Sequence, residues 1–394
     1  MTQPGDLVEL SPDRLVAGGD AMARLDGMPV FIRGAYPGDR IRGRITEVKK
    51  GFLRAEVEQL LQESRERRFL PCPIAAECGG CDWTELRLDR QIHWKREILS
   101  DALRRIGKFD LTNLPPITIH VSPLNYRLRS RIHVDEESGA IGFFAMRSTR
   151  VIPLVEECEV VGPAVIAALV PIRAAAAEQR PESVETLENG RELLVNLRPV
   201  GAKASGEIQL DVGGHSYRFS TRSFFQVNRH LLQTLHDLIS RSATQSPRRK
   251  LAWDLYGGVG FFALPLGKIF ERVESVESDG ESAQWGRANT SGIPNVRMIT
   301  ADVEHFLGRK NAPPDFVAVD PPRAGLAPEV LQGVAQIKAA RICYLSCDPV
   351  TFSRDAARLA RHGWALTSID LIDLFPNTHH IETLGSFVHE EGSG

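Results

Sequence analysis

Short apolar runs cut by glycine and proline mark the first 60 residues of the chain. Val30–Arg33, Arg40–Val48 and Phe52–Leu61 are separated by Gly34, Pro37-Gly38 and Gly51, a texture that predicts β-strands. In the middle run Arg40, Arg42 and Arg44 alternate with Ile41, Gly43 and Ile45, so a strand sets the three guanidiniums on one face. A charged linker, Glu63–Arg68, leads to a cysteine-rich stretch. From Leu88 to Arg105 the period lengthens, with Ile92, Ile98, Leu99, Ala102 and Leu103 as the apolar stripe of a helix. Pro115-Pro116 ends that region, and Asn125–Val134 reads as a strand aligning Arg127, Arg129 and Arg131. Pro163–Arg180 predicts a helix, with Pro163 at its first position and a kink at Pro171.

Beyond Leu251 the pattern becomes a strand–helix alternation. Strands are predicted at Leu251–Leu255, Arg272–Glu277, Val296–Ala301, Phe316–Asp320 and Arg341–Ser346, then at Ala365–Leu371 and Glu382–Val388. That order implies a parallel, doubly wound α/β sheet.

Composition narrows the class. A chain of 394 residues, 42% hydrophobic and 25% charged, is an ordinary globular protein of two or three domains. No apolar run approaches the roughly 18 residues a membrane span needs, and the start lacks the basic and apolar segments of a secretory signal. Six cysteines in so long a chain are no disulfide scaffold; they point to a reducing cytoplasm and to roles as metal ligands or reagents. The net charge of −2 is unevenly spread. Residues 86–150 carry 12 Lys and Arg against 7 Asp and Glu, a net of +5, whereas residues 251–394 carry 12 against 18, a net of −6. A basic middle and an acidic C-terminal part fit a polyanion-gripping region joined to a catalytic one, although two solvated surfaces would read the same way. A small barrel with a basic arginine face is a common RNA-binding form; arginines that merely keep it soluble are the plainer reading.

Five constellations carry candidate chemistry. Asp254-Leu255-Tyr256-Gly257-Gly258-Val259-Gly260 follows a predicted strand and opens a helix, and Glu277 ends the next strand. Such glycines let backbone approach a ligand, and a carboxylate so placed accepts from ribose hydroxyls; NAD and S-adenosylmethionine both fit. Asp320-Pro321-Pro322-Arg323 closes the fourth strand at the edge where open α/β sheets bind ligands. In Ser346-Cys347-Asp348-Pro349, Cys347 lies just past a strand and is a nucleophile candidate, while Cys343 lies within the strand as buried filler. Phe375-Pro376-Asn377-Thr378-His379-His380-Ile381-Glu382 leads into the last strand, with Glu382 a candidate general base; its two histidines lack a carboxylate at helical spacing and are assigned no metal. Cys72, Cys78 and Cys81, close together around Gly79-Gly80, suit a thiolate-bound metal centre with Cys158, and zinc and an iron–sulfur cluster both match by ligand type.

Taken together, these motifs resemble the RNA uracil-5-methyltransferase family, which makes 5-methyluridine, over nearly the whole chain. The resemblance implies a Rossmann-like class I methyltransferase domain over 219–394. Before it come a small TRAM-type, OB-like β-barrel over 1–62 and a β-rich central domain over 63–218, whose helix 88–107 packs on the catalytic domain. It implies that Cys347 is the nucleophile and Glu382 the base. Gln226 (in Ser223-Phe224-Phe225-Gln226-Val227-Asn228), Tyr256, Gly257, Gly260, Glu277, Asp302 and Asp320 then bind S-adenosylmethionine. Cys72, Cys78, Cys81 and Cys158 match the ligands of a 4Fe–4S cluster. Many relatives carry Asn where this chain has Asp348. The members with both TRAM domain and cluster make 23S ribosomal RNA the first expected substrate and transfer RNA the second. No membrane and no protein partner is expected. A reading of another class is an iron–sulfur RNA-binding protein that has lost catalysis; the retained pairing of Cys347 and Glu382 argues against it.

Overall fold

The N-terminal run folds into a six-stranded sheet ordered Leu7–Leu10, Arg40–Val48, Leu53–Gln62, Met28–Arg33, Ala21–Leu25 and Arg14–Leu15. The structure, a computed structural model, describes residues 2–69, 72–135, 137–179, 181–198, 206–309 and 312–389. Along Arg40–Val48 the period of two holds: Ile41, Gly43 and Ile45 are buried and the three arginines face solvent. The arginine face is not bare. Arg40 meets Glu9 at 2.8 Å, Arg44 meets Glu58 at 2.8 Å, and Arg42 donates to Gln59 at 3.3 Å. Exposed pairs of this kind are weak and screened by solvent, so a polyanion can displace them.

The predicted helix forms over Leu88–Arg105 and packs on the helix Pro349–Arg361. Its buried face contains a charge. Lys95 is fully buried, and its Nζ donates to Asp373 Oδ1 at 2.6 Å and to the Phe375 carbonyl at 3.0 Å. Breaking such a buried pair from one side costs about 3–5 kcal/mol, because a desolvated charge is left behind.

A five-stranded sheet follows, ordered Val151–Pro153, Ile141–Phe144, Arg129–Val134, Ser183–Glu188 and Leu193–Arg198. Here the arginine alignment fails. Asn125 takes a left-handed φ of 54°, and the regular strand begins only at Arg129. Arg127 lies over the Phe143 ring at 5.4 Å and donates to the Gly80 carbonyl, and Arg129 spends its guanidinium on the carbonyls of Thr221 and Ser223. Only Arg131 of the three is exposed, paired with Glu185 at 2.9 Å. The expected helix of 163–180 is two, Pro163–Ala167 and Leu169–Gln179. Pro171 has no N–H for the Ala167 carbonyl four residues back, so the chain breaks rather than kinks.

The C-terminal sheet has eight strands, ordered Val296–Thr300, Arg272–Glu277, Leu251–Leu255, Phe316–Val319, Arg341–Ser346, Glu382–His389, Trp364–Ile372 and Ile117–His120. It is not wholly parallel: Glu382–His389 runs antiparallel to both neighbours. The chain leaves Trp364–Ile372 and returns beside it through a loop without a helical crossover, which only an antiparallel pairing allows. The edge strand Ile117–His120 comes from the central region and pairs parallel with Trp364–Ile372.

One hairpin escaped the sequence reading. Glu207–Val212 pairs with His215–Ser220 through Gly213 and Gly214, both at positive φ. A Gly-Gly pair between alternating runs is a hairpin signal. The hairpin packs against the helix Gly280–Thr290, and Tyr217 donates to the Phe261 carbonyl, so it sits on the catalytic sheet although it lies before residue 219.

Candidate active site

The carboxyl ends of the C-terminal strands gather the chemistry. After Leu251–Leu255 the chain turns sharply, with Tyr256, Gly258 and Gly260 at φ of 63°, 53° and 86°. A Cβ on Gly257 would stand 2.0 Å from Ser275 Oγ, so that glycine is demanded by packing on the next strand. Glu277 braces the turn: its Oε2 accepts from Gly258 N at 2.9 Å and its Oε1 from Asp279 N at 2.7 Å. Asp302 is exposed at the start of the helix Val303–Leu307 and makes no capping bond, leaving its carboxylate at the rim.

Deeper in, Gln226 Nε2 donates to Asp320 Oδ2 at 3.1 Å. Burial, with the charge of Asp254 beside it, pushes the Asp320 carboxyl up to about 7. Burial likewise raises Asp254 to about 7, against the pull of its bond from Ser275 Oγ at 2.8 Å. Asp254 heads the glycine-turn motif in the sequence without a role of its own there; its depth in the strand is what makes its carboxyl unusual.

Strand register joins the two remaining groups. Arg341–Ser346 pairs antiparallel with Glu382–His389, Leu345 opposite Leu384 and Ser346 opposite Thr383. Cys347 directly follows Ser346 and Glu382 directly precedes Thr383, so two residues 35 apart in sequence stand at the same end of that ladder. Glu382 is buried and Cys347 half-buried. Burial, then the charges of Glu382 and Asp320, pushes the Cys347 thiol up to about 11, opposed by the Arg323 guanidinium. Burial and Asp320 raise the Glu382 carboxyl well above its ordinary range. Arg323 is held by His380, whose Nδ1 accepts from Nη2 at 2.8 Å, so this histidine positions a cation rather than a metal. Asp348 caps the helix Pro349–Arg361, accepting from Val350 N and Thr351 N at 2.9 and 2.8 Å. Asn caps a helix as well as Asp does, so the departure from the many relatives with Asn is chemically neutral for the helix. Cys343 is fully buried in its strand.

These shifts set an expected result for thiol chemistry. Alkylation of Cys347 by iodoacetamide, followed by peptide mass mapping, is slow at pH 7 and rises about tenfold per pH unit toward the raised thiol value. Arg323→Gln removes the nearby cation that lowers it, so the whole rate profile moves to higher pH; an unmoved profile refutes the electrostatic role of Arg323.

The four other cysteines meet elsewhere. Cys72, Cys78, Cys81 and Cys158 line one small apolar cavity with Ile74, Phe143 and Leu154. Burial raises the thiols of Cys72 and Cys78 and lifts Cys81 to about 12, so bare thiolates are disfavoured there without a cation to share. Gly80 leaves room where a Cβ would stand 3.4 Å from Cys78 Sγ. Among the described residues no three His, Cys, Asp or Glu side chains converge as a single bound ion requires. Four thiols are soft donors, a set chemically suited to a thiolate-bound group.

A glycine turn after the first strand, an acid after the second and one reversed strand in the sheet define a Rossmann-like S-adenosylmethionine-dependent methyltransferase. Residues 205–390 match the tRNA (uracil-5-)-methyltransferase family and residues 8–57 the TRAM domain. An uncharacterized RNA methyltransferase of Corynebacterium glutamicum is 32% identical over 98% of this chain and 97% of its own length. A second uncharacterized RNA methyltransferase, from Aquifex aeolicus, is 31% identical over 96% of this chain and 97% of its own. The chain belongs to the RNA (uracil-5-)-methyltransferase family. In fold it is similar to the Pyrococcus abyssi tRNA (uracil-54, C5)-methyltransferase bound to S-adenosyl-L-homocysteine, with a TM-score of 0.75 at 24% identity, covering 96% of this chain and 99% of that one.

Proposed function

We propose that the protein methylates carbon 5 of a uridine in a structured RNA through a temporary covalent bond between Cys347 and carbon 6. The observation that carries this reading is that Cys347 and Glu382 flank the last pair of one ladder, Ser346 opposite Thr383, close enough for the Glu382 charge to act on the thiol. S-adenosylmethionine supplies, when bound, an electrophilic methyl on a positively charged sulfur. Gln226, Tyr256, Gly257, Gly260, Glu277, Asp302 and Asp320 are the residues that would hold it. Buried carboxyls at Asp254 and Asp320, both pushed up to about 7, suit a cationic ligand and disfavour the anionic pyrophosphate of a dinucleotide.

Carbon 5 of uracil is a weak nucleophile. Addition of the Cys347 thiolate forms an S–C6 bond and sends the C5=C6 electron pair toward C5 and its conjugated carbonyl, as an enolate. Arg323 favours the thiolate. Once C5 carries its methyl group, Glu382 takes the C5 proton, the electrons of that C–H bond restore C5=C6, and the S–C6 bond breaks to return the sulfur. Glu382 accepts that proton as a carboxylate, the form that burial and the charge of Asp320 disfavour, so turnover rises with pH as Glu382 ionises. The target base must leave its stack at a cost of a few kcal/mol, which contacts to the rest of the RNA offset. Of the two arginine triplets, Arg40, Arg42, Arg44 and Arg131 are exposed and available for phosphate, whereas Arg127 and Arg129 are committed within the protein. Binding through them weakens with salt.

Ribosomal RNA of the 23S type is the first substrate reading, supported by the likeness to members carrying both a TRAM domain and a cluster. Transfer RNA is the second, supported by the like architecture of the Pyrococcus abyssi enzyme. Mapping tritium from methyl-labelled S-adenosylmethionine on total RNA of a deletion strain decides between them, and label absent from every uridine overturns the proposal. Cys72, Cys78, Cys81 and Cys158 would hold a 4Fe–4S cluster, whose four thiolates close its shell and confine it to shaping or redox roles. An anaerobic preparation is then brown; a colourless zinc protein refutes the cluster.

A further inference from the structure

The segment that delivers Glu382 to Cys347 is tied to the cysteine loops chiefly through Asn377, which bonds to residues beside both Cys81 and Cys158. This residue is fully buried at a left-handed φ of 67°, and each of its polar groups is engaged. Its N–H donates to Gln91 Oε1 at 2.8 Å, and its carbonyl accepts from the N–H groups of Asp82 and Trp83 at 3.2 and 3.0 Å. Its Oδ1 accepts from Arg68 Nη2 and Gln91 Nε2, both at 3.0 Å, and its Nδ2 donates to Glu159 Oε2 at 2.8 Å. Asp82 directly follows Cys81 and Glu159 directly follows Cys158, and Asn377 itself lines the four-cysteine cavity.

Around this centre the contacts repeat. His379 N donates to Asp82 Oδ1 at 3.0 Å and its ring meets the same carboxylate. Arg68 spans Glu159 and the Thr84 carbonyl while reaching Asn377. The start of the segment is held elsewhere, by Lys95 on Asp373 and the Phe375 carbonyl and by Asn228 on the Leu374 carbonyl, whereas Asn377 and His379 are held from the cysteine side.

The geometry assigns Asn377 as a positioning residue for the general base: it clamps the 373–381 segment to the loops after Cys81 and Cys158, and a disturbance of the four-cysteine site reaches Glu382 through that clamp. The assignment rests on the reading of Glu382 as base. A group displaced by as little as about 1 Å loses on the order of a hundredfold in rate, and here the loss falls on proton removal, after the methyl has arrived. Loosening the clamp therefore stalls the enzyme as a methylated covalent RNA adduct.

The test uses the full-length protein, total RNA of the deletion strain and tritiated-methyl S-adenosylmethionine, and reads label in the protein band of a denaturing gel. Asn377→Ala, Asn377→Gly and Arg68→Gln are compared with Glu382→Gln. Expected are retained label for all four, a fall in kcat of about tenfold to a hundredfold for the Asn377 variants, a smaller one for Arg68→Gln, and an unchanged KM for S-adenosylmethionine. No retained label in Glu382→Gln defeats the base reading itself. Label trapped by Glu382→Gln but by neither Asn377→Ala nor Arg68→Gln overturns the clamp alone. Asn377→Gly keeps the left-handed turn, so wild-type turnover there also overturns it by showing that the side-chain bonds do nothing. Should Asn377→Ala fail to fold, Arg68→Gln on the cysteine side decides the matter.

Discussion

Cys347→Ala abolishes methyl transfer and leaves RNA binding intact. Loss of a covalent nucleophile removes the step that makes C5 electron-rich, and no neighbouring group replaces it; the drop in kcat is at least about 10⁴-fold, the scale seen when a nucleophile is removed from a concerted catalytic set. On the proposed reading RNA affinity comes from many contacts over an arginine face rather than from one half-buried sulfur, so a filter-binding or anisotropy titration reads the same for variant and parent. Cys347→Ser behaves like the alanine variant, since a hydroxyl ionises far less readily than a thiol. Turnover by either variant within tenfold of the parent would exclude a covalent route and leave Cys347 a bystander.

Glu382→Gln gives the complementary phenotype. The amide keeps the shape and burial of the side chain but accepts no proton, so the reaction runs as far as the methylated adduct and stops there. Adduct formation is not slowed, because Glu382 is one of the charges that raise the Cys347 thiol, and its neutralisation favours the thiolate. The same substitution has a stability signature. The folded-state value of Glu382 lies above its unfolded one, so the folded protein binds the proton more tightly than the unfolded chain. The stability linked to that proton is fully present below the ordinary carboxylate range, about pH 4, and is lost as pH rises through the folded value. The variant lacks this loss, and its stability gain over the parent grows with pH by at most about 1.4 kcal/mol per unit. Thermal melts between pH 5 and 8 check it: a constant difference in Tm would show that Glu382 is not buried in the way its surroundings dictate.

Both expected results and the proposed Asn377 clamp share a cause, which is that the proposed catalytic pair comes together at the end of two paired strands rather than in a local motif. Cys347 sits one residue past a strand and Glu382 opens another, and each position alone is ordinary. Only their register makes them partners. The same holds for Arg323, whose aim depends on His380, and for Lys95, an apparent surface lysine of a helix that is buried against Asp373.

Local chemistry alone determined a good deal. Periodicity located the helix Leu88–Arg105 and the strands Leu251–Leu255, Arg272–Glu277 and Arg341–Ser346, because hydrophobic spacing is a property of neighbours along the chain. The glycine turn, the acid after the second strand and the thiol past the fifth were legible for the same reason. Tertiary structure decided what spacing cannot contain: the reversal of Glu382–His389, the loss of Arg127 and Arg129 to internal carbonyls, the two carboxyls lifted to about 7, and the bonds around Asn377. Burial, charge coupling and register all arise between residues far apart in the chain, and their strength is set by distance and dielectric in the folded state, which no local pattern records.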